Sequence, residues 1–201
     1  MLCLVTDRRR LCSEAAAFDV ARARLVEQAK WAVKSNVDVI QVRERDLEAA
    51  DLAALVNDLV KVSRGSGTRV VVNDRVDVAI ACGADGVHLR HDSISAETLR
   101  PIVPAGFLVG RSVHGVAEAI DAGPVDYLIA GAVFTTASKP AATPLLGLDG
   151  LAEIVQAVAV PVLAIGGITR DRLDEVASTG AAGIAGIGLF IDWFERRETP
   201  S

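Results

Sequence analysis

Two arginines and a glutamine alternate along the end of one apolar run, in a pattern that suits a phosphorylated ligand. Gln41, Arg43 and Arg45 occupy every second position, and alternate residues of a strand share one face. Guanidinium groups present forked N–H donors, so two of them on one face favour a doubly charged or diphosphate group. For Arg45 the alternative is an ion pair with Glu44 or with an acid on a neighbouring helix.

The next apolar run closes on an amide and a carboxylate, Asn73 and Asp74. A single carboxylate beside substrate phosphates is a common way to hold Mg2+, which keeps waters and phosphate oxygens as its other ligands. Asp74 is therefore our candidate metal ligand. The alternative is that Asp74 caps a helix beginning near Arg75, and the sequence alone leaves both interpretations open.

Hydroxyl, imidazole and amine groups follow two later runs. Ser112 and His114 lie on one side of the run that ends near residue 114, where a proton donor or acceptor can act on a substrate. Thr136, Ser138 and Lys139 stand in a polar loop that we expect to act as a flexible lid. Ser112, His114 and Lys139 are our candidate catalytic residues. The alternatives are a structural histidine and a solvated surface loop.

Glycines interrupt the last two apolar runs where each should pass into a helix. Gly166 and Gly167 end the first of them, and Ile187 and Gly188 lie in the second. A strand that ends in glycines before a helix exposes backbone N–H groups to an anion. The loops after strands seven and eight of a (β/α)8 barrel commonly hold a phosphate. The alternative is that these glycines only permit tight turns and close helix packing.

Eight apolar runs of strand length alternate with helical patterns along the chain. Helical spacing recurs over residues 13–33, where Ser13 is suited to cap the start, and over residues 46–63. Alternating strands and helices require a parallel sheet, and eight repeats favour closure into a (β/α)8 TIM barrel over an open doubly wound sheet. We predict a single α/β domain over residues 1–201. Its last helix should be short, because it is confined to residues 191–198.

Composition fits an α/β protein that acts on small molecules. The residues are 51% hydrophobic but only 4% aromatic, which is typical of parallel strands buried on both faces. The net charge of −5 argues against nucleic acid as a partner. No apolar run is long enough to cross a bilayer and no export signal is present, so we expect a cytoplasmic protein that does not bind membranes. A short last helix leaves apolar surface that a second copy can cover, and we expect a homodimer.

Taken together, the motifs resemble the family of thiamine-phosphate synthase and its relative the thiazole tautomerase, over nearly the whole chain. They are QVRER at 41–45, VNDRVD at 72–77, ADGVHL at 84–89, GRSVH at 110–114, TASK at 136–139 and AIGG at 164–167. The resemblance implies a barrel that joins 4-amino-2-methyl-5-pyrimidinylmethyl diphosphate to thiazole phosphate and releases diphosphate, with Mg2+ as cofactor.

The resemblance also implies two substrate subsites. The residues that match the diphosphate site are Gln41, Arg43, Arg45, Asn73, Asp74, Thr136, Ser138 and Lys139. The residues that match the thiazole-phosphate site are Gly166, Gly167 and the backbone near Ile187 and Gly188.

The chain departs from the synthase pattern after the fourth run. The synthase carries a second Mg2+ carboxylate in a Gly-Gln-acid-Asp sequence, where this chain has Arg90, His91, Asp92 and Ser93. Ser93 stands in place of the expected aspartate, which leaves Asp74 as the one matching carboxylate.

These departures keep two further functions open. A tautomerase would aromatise a thiazole carboxylate phosphate without metal, with a histidine matching His114 as proton shuttle. Asp74, Lys139 and Gln41 instead suit the synthase, which is the function we predict. The third alternative is a regulator that binds thiazole phosphate without catalysis.

Overall fold

The computed structural model describes residues 1–136 and 144–200. In these residues, eight strands follow one another in sequence order around a closed barrel. Their bounds are β1 Leu2–Val5, β2 Val39–Val42, β3 Arg69–Asn73, β4 Gly86–Leu89, β5 Leu108–Val113, β6 Tyr127–Gly131, β7 Val162–Ile165 and β8 Gly183–Gly186. The predicted (β/α)8 barrel is confirmed, and the open doubly wound sheet is excluded.

Helices alternate with these strands. Their bounds are α1 Arg8–Leu11, α2 Phe18–Lys34, α3 Ala49–Ser63, α4 Val76–Ala81, α5 Ala96–Leu99, α6 Val116–Ile120, α7 Gly147–Ala157, α8 Leu173–Ser178 and α9 Gly188–Arg196. Two short 3-10 turns precede or follow helices, at Arg100–Ile102 and Arg170–Arg172. Of the helices in the described residues, none has the length and apolar character needed to cross a membrane.

Contacts along the chain define two compact units. The terminal unit consists of Leu2–Val87 with Ile187–Ser201, and the central unit consists of Met1 with His88–Gly186. Each unit carries part of the predicted site residues, and each is described separately below.

Within each unit, neighbouring strands are parallel and their carboxyl ends lie side by side. In the terminal unit Gln41 of β2 lies opposite Val71 of β3. In the central unit Gly110 of β5 lies opposite Tyr127 of β6, and β6 pairs in turn with β7. Strands β2, β4 and β6 are buried at every position, as their apolar composition predicts for parallel strands.

The start of α2 differs from the prediction. The helix begins at Phe18, with Ala17 at its N-cap and no side-chain cap, so the expected cap at Ser13 is wrong. The carbonyl of Ser13 accepts the N–H of Ala16 in a turn. A run of alanines before Phe18 is compatible with helix, but this turn holds the backbone outside it.

The last helix begins earlier than predicted, at Gly188 instead of residue 191. It is short, with nine residues, and its buried residues are Phe190, Trp193 and Phe194. This spacing places three aromatic side chains on one face of a helix. The last helix therefore contributes these three side chains to the buried residues of the terminal unit.

Candidate active site

Arg43 is a half-buried cation that follows β2 in the terminal unit. Among the described residues its guanidinium forms no ion pair, whereas Arg8 nearby pairs with both Glu44 and Asp46. Burial, and then the charge of Arg45, lower the pKa of Arg43. A partly desolvated guanidinium without a carboxylate partner is suited to an anionic ligand.

The carboxylate of Glu44 is bonded to Arg8 of α1. Its carboxylate accepts hydrogen bonds from the backbone N–H and from Nη1 of Arg8, each at 3.1 Å. Burial raises the pKa of Glu44 in spite of these bonds. The alternative pairing of Glu44 with Arg45 is therefore not formed, and Arg45 is exposed. Because Arg8 satisfies Glu44, the flanking Arg43 and Arg45 keep their donors for other partners.

Gln41 and Asn73 are brought together as predicted. Gln41 is buried at the end of β2, and its Nε2 donates to Oδ1 of Asn73 at 3.1 Å. This bond fixes two amide groups beside the carboxyl ends of β2 and β3. It leaves the Asn73 amide nitrogen to donate elsewhere.

Asp74 does not cap the following helix. The N-cap of α4 is Arg75, with no side-chain cap, and Arg75 pairs with Asp77 at 2.6 Å. Asp74 lies one residue earlier in left-handed backbone, with φ of 63°, a conformation that aspartate tolerates better than most residues. The N-cap position that the alternative interpretation gave to Asp74 is therefore taken by Arg75.

The donor set fits Mg2+ only as a weakly held ion. Among the residues described, no three histidine, cysteine, aspartate or glutamate side chains form a group that could hold a metal. Mg2+ commonly binds through one or two carboxylates with substrate phosphates and waters. Asp74 alone is compatible with an ion that arrives together with a diphosphate substrate.

The residues after β4 stand where the synthase pattern has its second Mg2+ carboxylate. Asp92 accepts hydrogen bonds from Nε and Nη2 of Arg90, and the hydrogen bond from Arg90 lowers the pKa of Asp92 to about 2. Oγ of Ser93 accepts the backbone N–H of Arg90 at 3.0 Å. Ser93 thus closes a turn, and Arg90 engages the one carboxylate beside it.

Arg10, which was not among the predicted site residues, lies beside the start of α9. A Cβ built at Gly188 would lie 2.9 Å from Nη2 of Arg10. The first N–H groups of a helix lack intrahelical acceptors and attract anions. Arg10 adds a positive charge at the same place.

In the central unit, Ser112 belongs to a buried chain of hydrogen bonds. Its Oγ lies 2.9 Å from Nε2 of His88, and Nδ1 of His88 lies 3.2 Å from the Tyr127 hydroxyl. Burial lowers the pKa of His88 to about 3. Neither His88 nor Tyr127 was predicted, because a histidine inside an apolar strand is indistinguishable by sequence from a packing residue.

His114 lies just beyond β5 and pairs with α6. Its backbone N–H donates to Oε2 of Glu118 at 2.8 Å, and its Nδ1 lies 3.2 Å from the same oxygen. Burial opposes ionisation of Glu118, but these bonds from His114 lower its pKa overall. The rings of His91 and His114 meet edge to face at 4.9 Å. His114 is therefore held by a carboxylate and is not bonded to Ser112.

A cavity of about 220 Å3 lies beside these groups. Its lining residues are His91, Arg111, Ser112, Ala117, Glu118 and Asp121. Ser112 and the carboxylate that holds His114 therefore face one space. The prediction that Ser112 and His114 serve the same site is compatible with this arrangement.

The double glycine after β7 is required by a close approach. Gly166 and Gly167 have φ of 101° and 66°, and a Cβ at Gly167 would lie 2.3 Å from the carbonyl oxygen of Thr135. The loop after β6 crosses the glycines, and Phe134 donates its N–H to the Gly166 carbonyl at 3.0 Å. In the described part of the chain, the Gly167 N–H has no backbone acceptor. The glycines therefore do permit close packing, and the role of this N–H as an anion donor stays a prediction.

The loop predicted as a lid is described only at its edges. Thr136 is half-buried, while Ser138 and Lys139 lie outside the described residues, together with the rest of the segment 137–143. Their assignment to the diphosphate site stays a prediction.

The fold and these groups define a class of protein: a (β/α)8 barrel with cations, amides and free backbone N–H groups at strand ends. The family model for thiamine monophosphate synthase matches residues 2–190, and the chain belongs to this family. The resemblance inferred from the sequence is thereby confirmed.

Relatives and solved structures agree with this membership. The thiamine-phosphate synthase of Methanoregula boonei is 44% identical over 167 residues, which cover 82% of this chain and 77% of the relative. That of Roseiflexus sp. is 41% identical over 191 residues, with 94% and 77% covered. The thiamine phosphate pyrophosphorylase structure from Pyrococcus furiosus has a TM-score of 0.78 and 32% identity, with 98% and 95% covered. A 3-hexulose-6-phosphate synthase, at 16% identity and TM-score 0.62 over 92% and 90% of the two chains, shares the barrel alone.

Proposed function

We propose that this chain catalyses the thiamine-phosphate synthase reaction. It joins 4-amino-2-methyl-5-pyrimidinylmethyl diphosphate to thiazole phosphate and releases diphosphate. The observation that carries the proposal is Arg43, a half-buried guanidinium without an ion-pair partner in the described residues. The sequences of relatives named thiamine-phosphate synthase agree with it over most of the chain.

The reaction requires charge stabilisation more than proton transfer. The C–O bond to the diphosphate breaks, and its electron pair stays on the departing oxygen. The thiazole nitrogen then donates its lone pair to the pyrimidinylmethyl carbon, forming the C–N bond. Arg43 and Arg45 offset the charge that develops on the diphosphate, and the bonded amides of Gln41 and Asn73 orient its oxygens.

Asp74 is the residue that would hold Mg2+ in this reaction. The ion, when bound, would neutralise negative charge on the diphosphate as a Lewis acid. Since Asp74 is the one family-matching carboxylate, we expect the protein alone to bind Mg2+ weakly.

Two groups of backbone donors are proposed to bind the thiazole phosphate. Backbone N–H groups of Gly167, and of Ile187 or Gly188 at the start of α9, are its proposed donors. Arg10 supports this assignment with a guanidinium next to Gly188. Gly166 is needed because a Cβ at this position would lie 2.6 Å from Cβ of Ala132 in the loop after β6.

Ser112, His114 and Lys139 remain the proposed catalytic residues, with Thr136 and Ser138 as further diphosphate ligands. Lys139 would act on the diphosphate as a cation. Ser112 would bind the pyrimidine through its hydroxyl. No proton moves at the reacting carbon or nitrogen, so His114 would act in binding and not as a proton shuttle.

One observation favours a second function. Arg90 engages Asp92 and Ser93 replaces the expected aspartate, which is compatible with a metal-independent thiazole tautomerase. There His114 would move the proton, assisted by Glu118.

The proposed function is tested by incubating the pure protein with each substrate set. Thiamine phosphate formed from the pyrimidine diphosphate and thiazole phosphate, only with Mg2+, supports the synthase. Aromatisation of a thiazole carboxylate phosphate without metal would support the tautomerase instead. Binding of thiazole phosphate without either turnover would support the regulator.

A homodimer acting in the cytoplasm also remains a proposal. Apolar side chains on the surface support pairing, including Val20, Ile102 and Ile120, each more than 60% exposed. Light scattering of the pure protein would give twice the chain mass of 21.1 kDa if the dimer forms.

A further inference from the structure

His88 is a titratable group that the proposed mechanism does not use. It lies in the middle of β4 with 1% of its surface exposed. Both ring nitrogens lie within hydrogen-bonding distance of a hydroxyl, Ser112 on one side and Tyr127 on the other. Among the described residues no carboxylate contacts it. The ring therefore links two hydroxyl groups and holds no charge partner.

The three groups are held rigidly. The ring of Tyr127 lies 5.6 Å from that of His88 at an angle of 32°. A Cβ at Gly110 would lie 2.1 Å from Cζ of Tyr127, so the tyrosine ring fits directly over the glycine backbone of β5. Tyr127 and His88 are almost fully buried, which leaves Ser112 as the member that reaches the cavity described above.

A neutral imidazole has one donor and one acceptor nitrogen. Burial keeps His88 neutral near pH 7, because it lowers the pKa to about 3. If Nε2 donates, the Ser112 hydroxyl keeps its proton for the ligand. If Nε2 accepts that proton, Oγ of Ser112 keeps its lone pairs for a donor on the ligand. In either tautomer the imidazole takes up either the donor or an acceptor function of the Ser112 hydroxyl. The remaining function faces the cavity.

We propose that His88 is a positioning residue, which orients the Ser112 hydroxyl toward the pyrimidine of the diphosphate substrate. The proposal rests on the proposed function, because it takes Ser112 as a substrate-binding group. Tyr127 completes the chain by fixing the far side of the imidazole. His88 itself touches no substrate, and its effect is transmitted entirely through Ser112.

Two isosteric variants separate this role from simple packing. In His88→Gln the side-chain amide replaces Nε2, which retains a partner for Ser112. In His88→Asn the amide replaces Nδ1, which retains a partner for Tyr127 and releases Ser112. We expect His88→Asn to bind the pyrimidine diphosphate roughly tenfold more weakly than His88→Gln, the effect of one hydrogen bond. Calorimetric titration measures the binding constants, and thermal unfolding measures the stability of both variants.

The Ser112→Ala background provides the decisive comparison. If His88 acts through Ser112, His88→Gln and His88→Asn should bind the ligand equally once the hydroxyl is gone. A tenfold difference that persists in Ser112→Ala, or binding losses that simply follow the two unfolding temperatures, would overturn the proposal. Binding is measured apart from turnover, so the two proposals can fail separately. If the protein binds the pyrimidine diphosphate but forms no product, the synthase function is refuted, and the binding constants of the variants still test the role of His88.

Discussion

At the residue scale, identical side chains differ in function because burial and available partners differ. Arg8 is tied to Glu44 and Asp46, and hydrogen bonds from Arg8 hold the pKa of Asp46 well below its ordinary value. Arg9 pairs with the same Asp46. Arg43 has no such partner among the described residues, and it is half-buried. This difference is why we propose Arg43, and not Arg8 or Arg9, as a ligand for the diphosphate.

Replacing Arg43 tests this distinction. Arg43→Ala should lower kcat/KM for the pyrimidine diphosphate by about 10²-fold or more, since it removes a preorganised cation from the leaving group. Arg9→Ala is the matched control, because Arg9 comes from the same region and pairs with an exposed carboxylate. Steady-state kinetics of both variants give the comparison. Equal losses in the two variants would remove Arg43 from the diphosphate site.

Replacing Asp74 and Ser93 tests the metal site. Asp74→Asn should raise the Mg2+ concentration required for turnover, because it removes the charged ligand. Ser93→Asp should lower that concentration by restoring a carboxylate. Asp92→Asn is the control, since its carboxylate is held by Arg90. Mg2+ titrations that are identical in all four proteins would contradict a metal site at Asp74.

Residue spacing predicted Gln41, Asn73 and Arg43 because each stands beside a strand end. Strand alternation places only Gln41, since β2 ends at Val42 and Arg43 lies in the loop that follows. His88 and Arg10 could not be predicted, because their roles depend on contacts with residues far along the chain.

At the element scale, the strand-to-helix junctions decide where backbone N–H groups are exposed. The junction after β7 needs two glycines because the loop after β6 crosses it. The junction before α9 is set by three buried aromatic residues in the helix. The sequence predicted both junctions from their glycines. It misplaced the start of α9, since an apolar glycine-rich run is compatible with either strand or helix.

A glycine substitution measures how tightly the β7 junction is packed. Gly167→Ala should destabilise the protein by about 2–5 kcal/mol, because a left-handed backbone strain adds to a steric overlap. Gly65→Ala is the matched control, with φ of 79° and nothing within 4 Å of the added Cβ; strain alone should cost about 1–2 kcal/mol. Urea unfolding measures both. Equal losses would contradict the close approach of the loop.

At the whole-molecule scale, the barrel was predictable because eight repeats of strand and helix have few ways to close. The two compact units were not predictable from the sequence, since they depend on the density of contacts in the fold and not on any local pattern. The single domain over residues 1–201 stays a prediction. Stability, unlike topology, is sensitive to individual buried groups, of which His88 is the clearest.

Burial of His88 makes stability depend on pH. Its pKa falls from 6.5 in the unfolded chain to about 3 in the fold. As pH drops between these values, the unfolded state binds a proton that the folded state does not, so the free energy of unfolding decreases. The slope should approach about 1.4 kcal/mol per pH unit. Urea unfolding between pH 7 and pH 4 should show a shallower dependence in His88→Gln. Parallel curves for the two proteins would contradict a buried neutral imidazole.

The activity that we propose for this chain releases diphosphate as thiamine phosphate forms. The most direct measurement is the yield of both products from pyrimidine diphosphate and thiazole phosphate, with Mg2+ present and after its removal by a chelator. We expect equal amounts of thiamine phosphate and diphosphate with Mg2+, and neither product without it. Diphosphate release without thiamine phosphate, or no reaction at any Mg2+ concentration, would contradict the proposed activity.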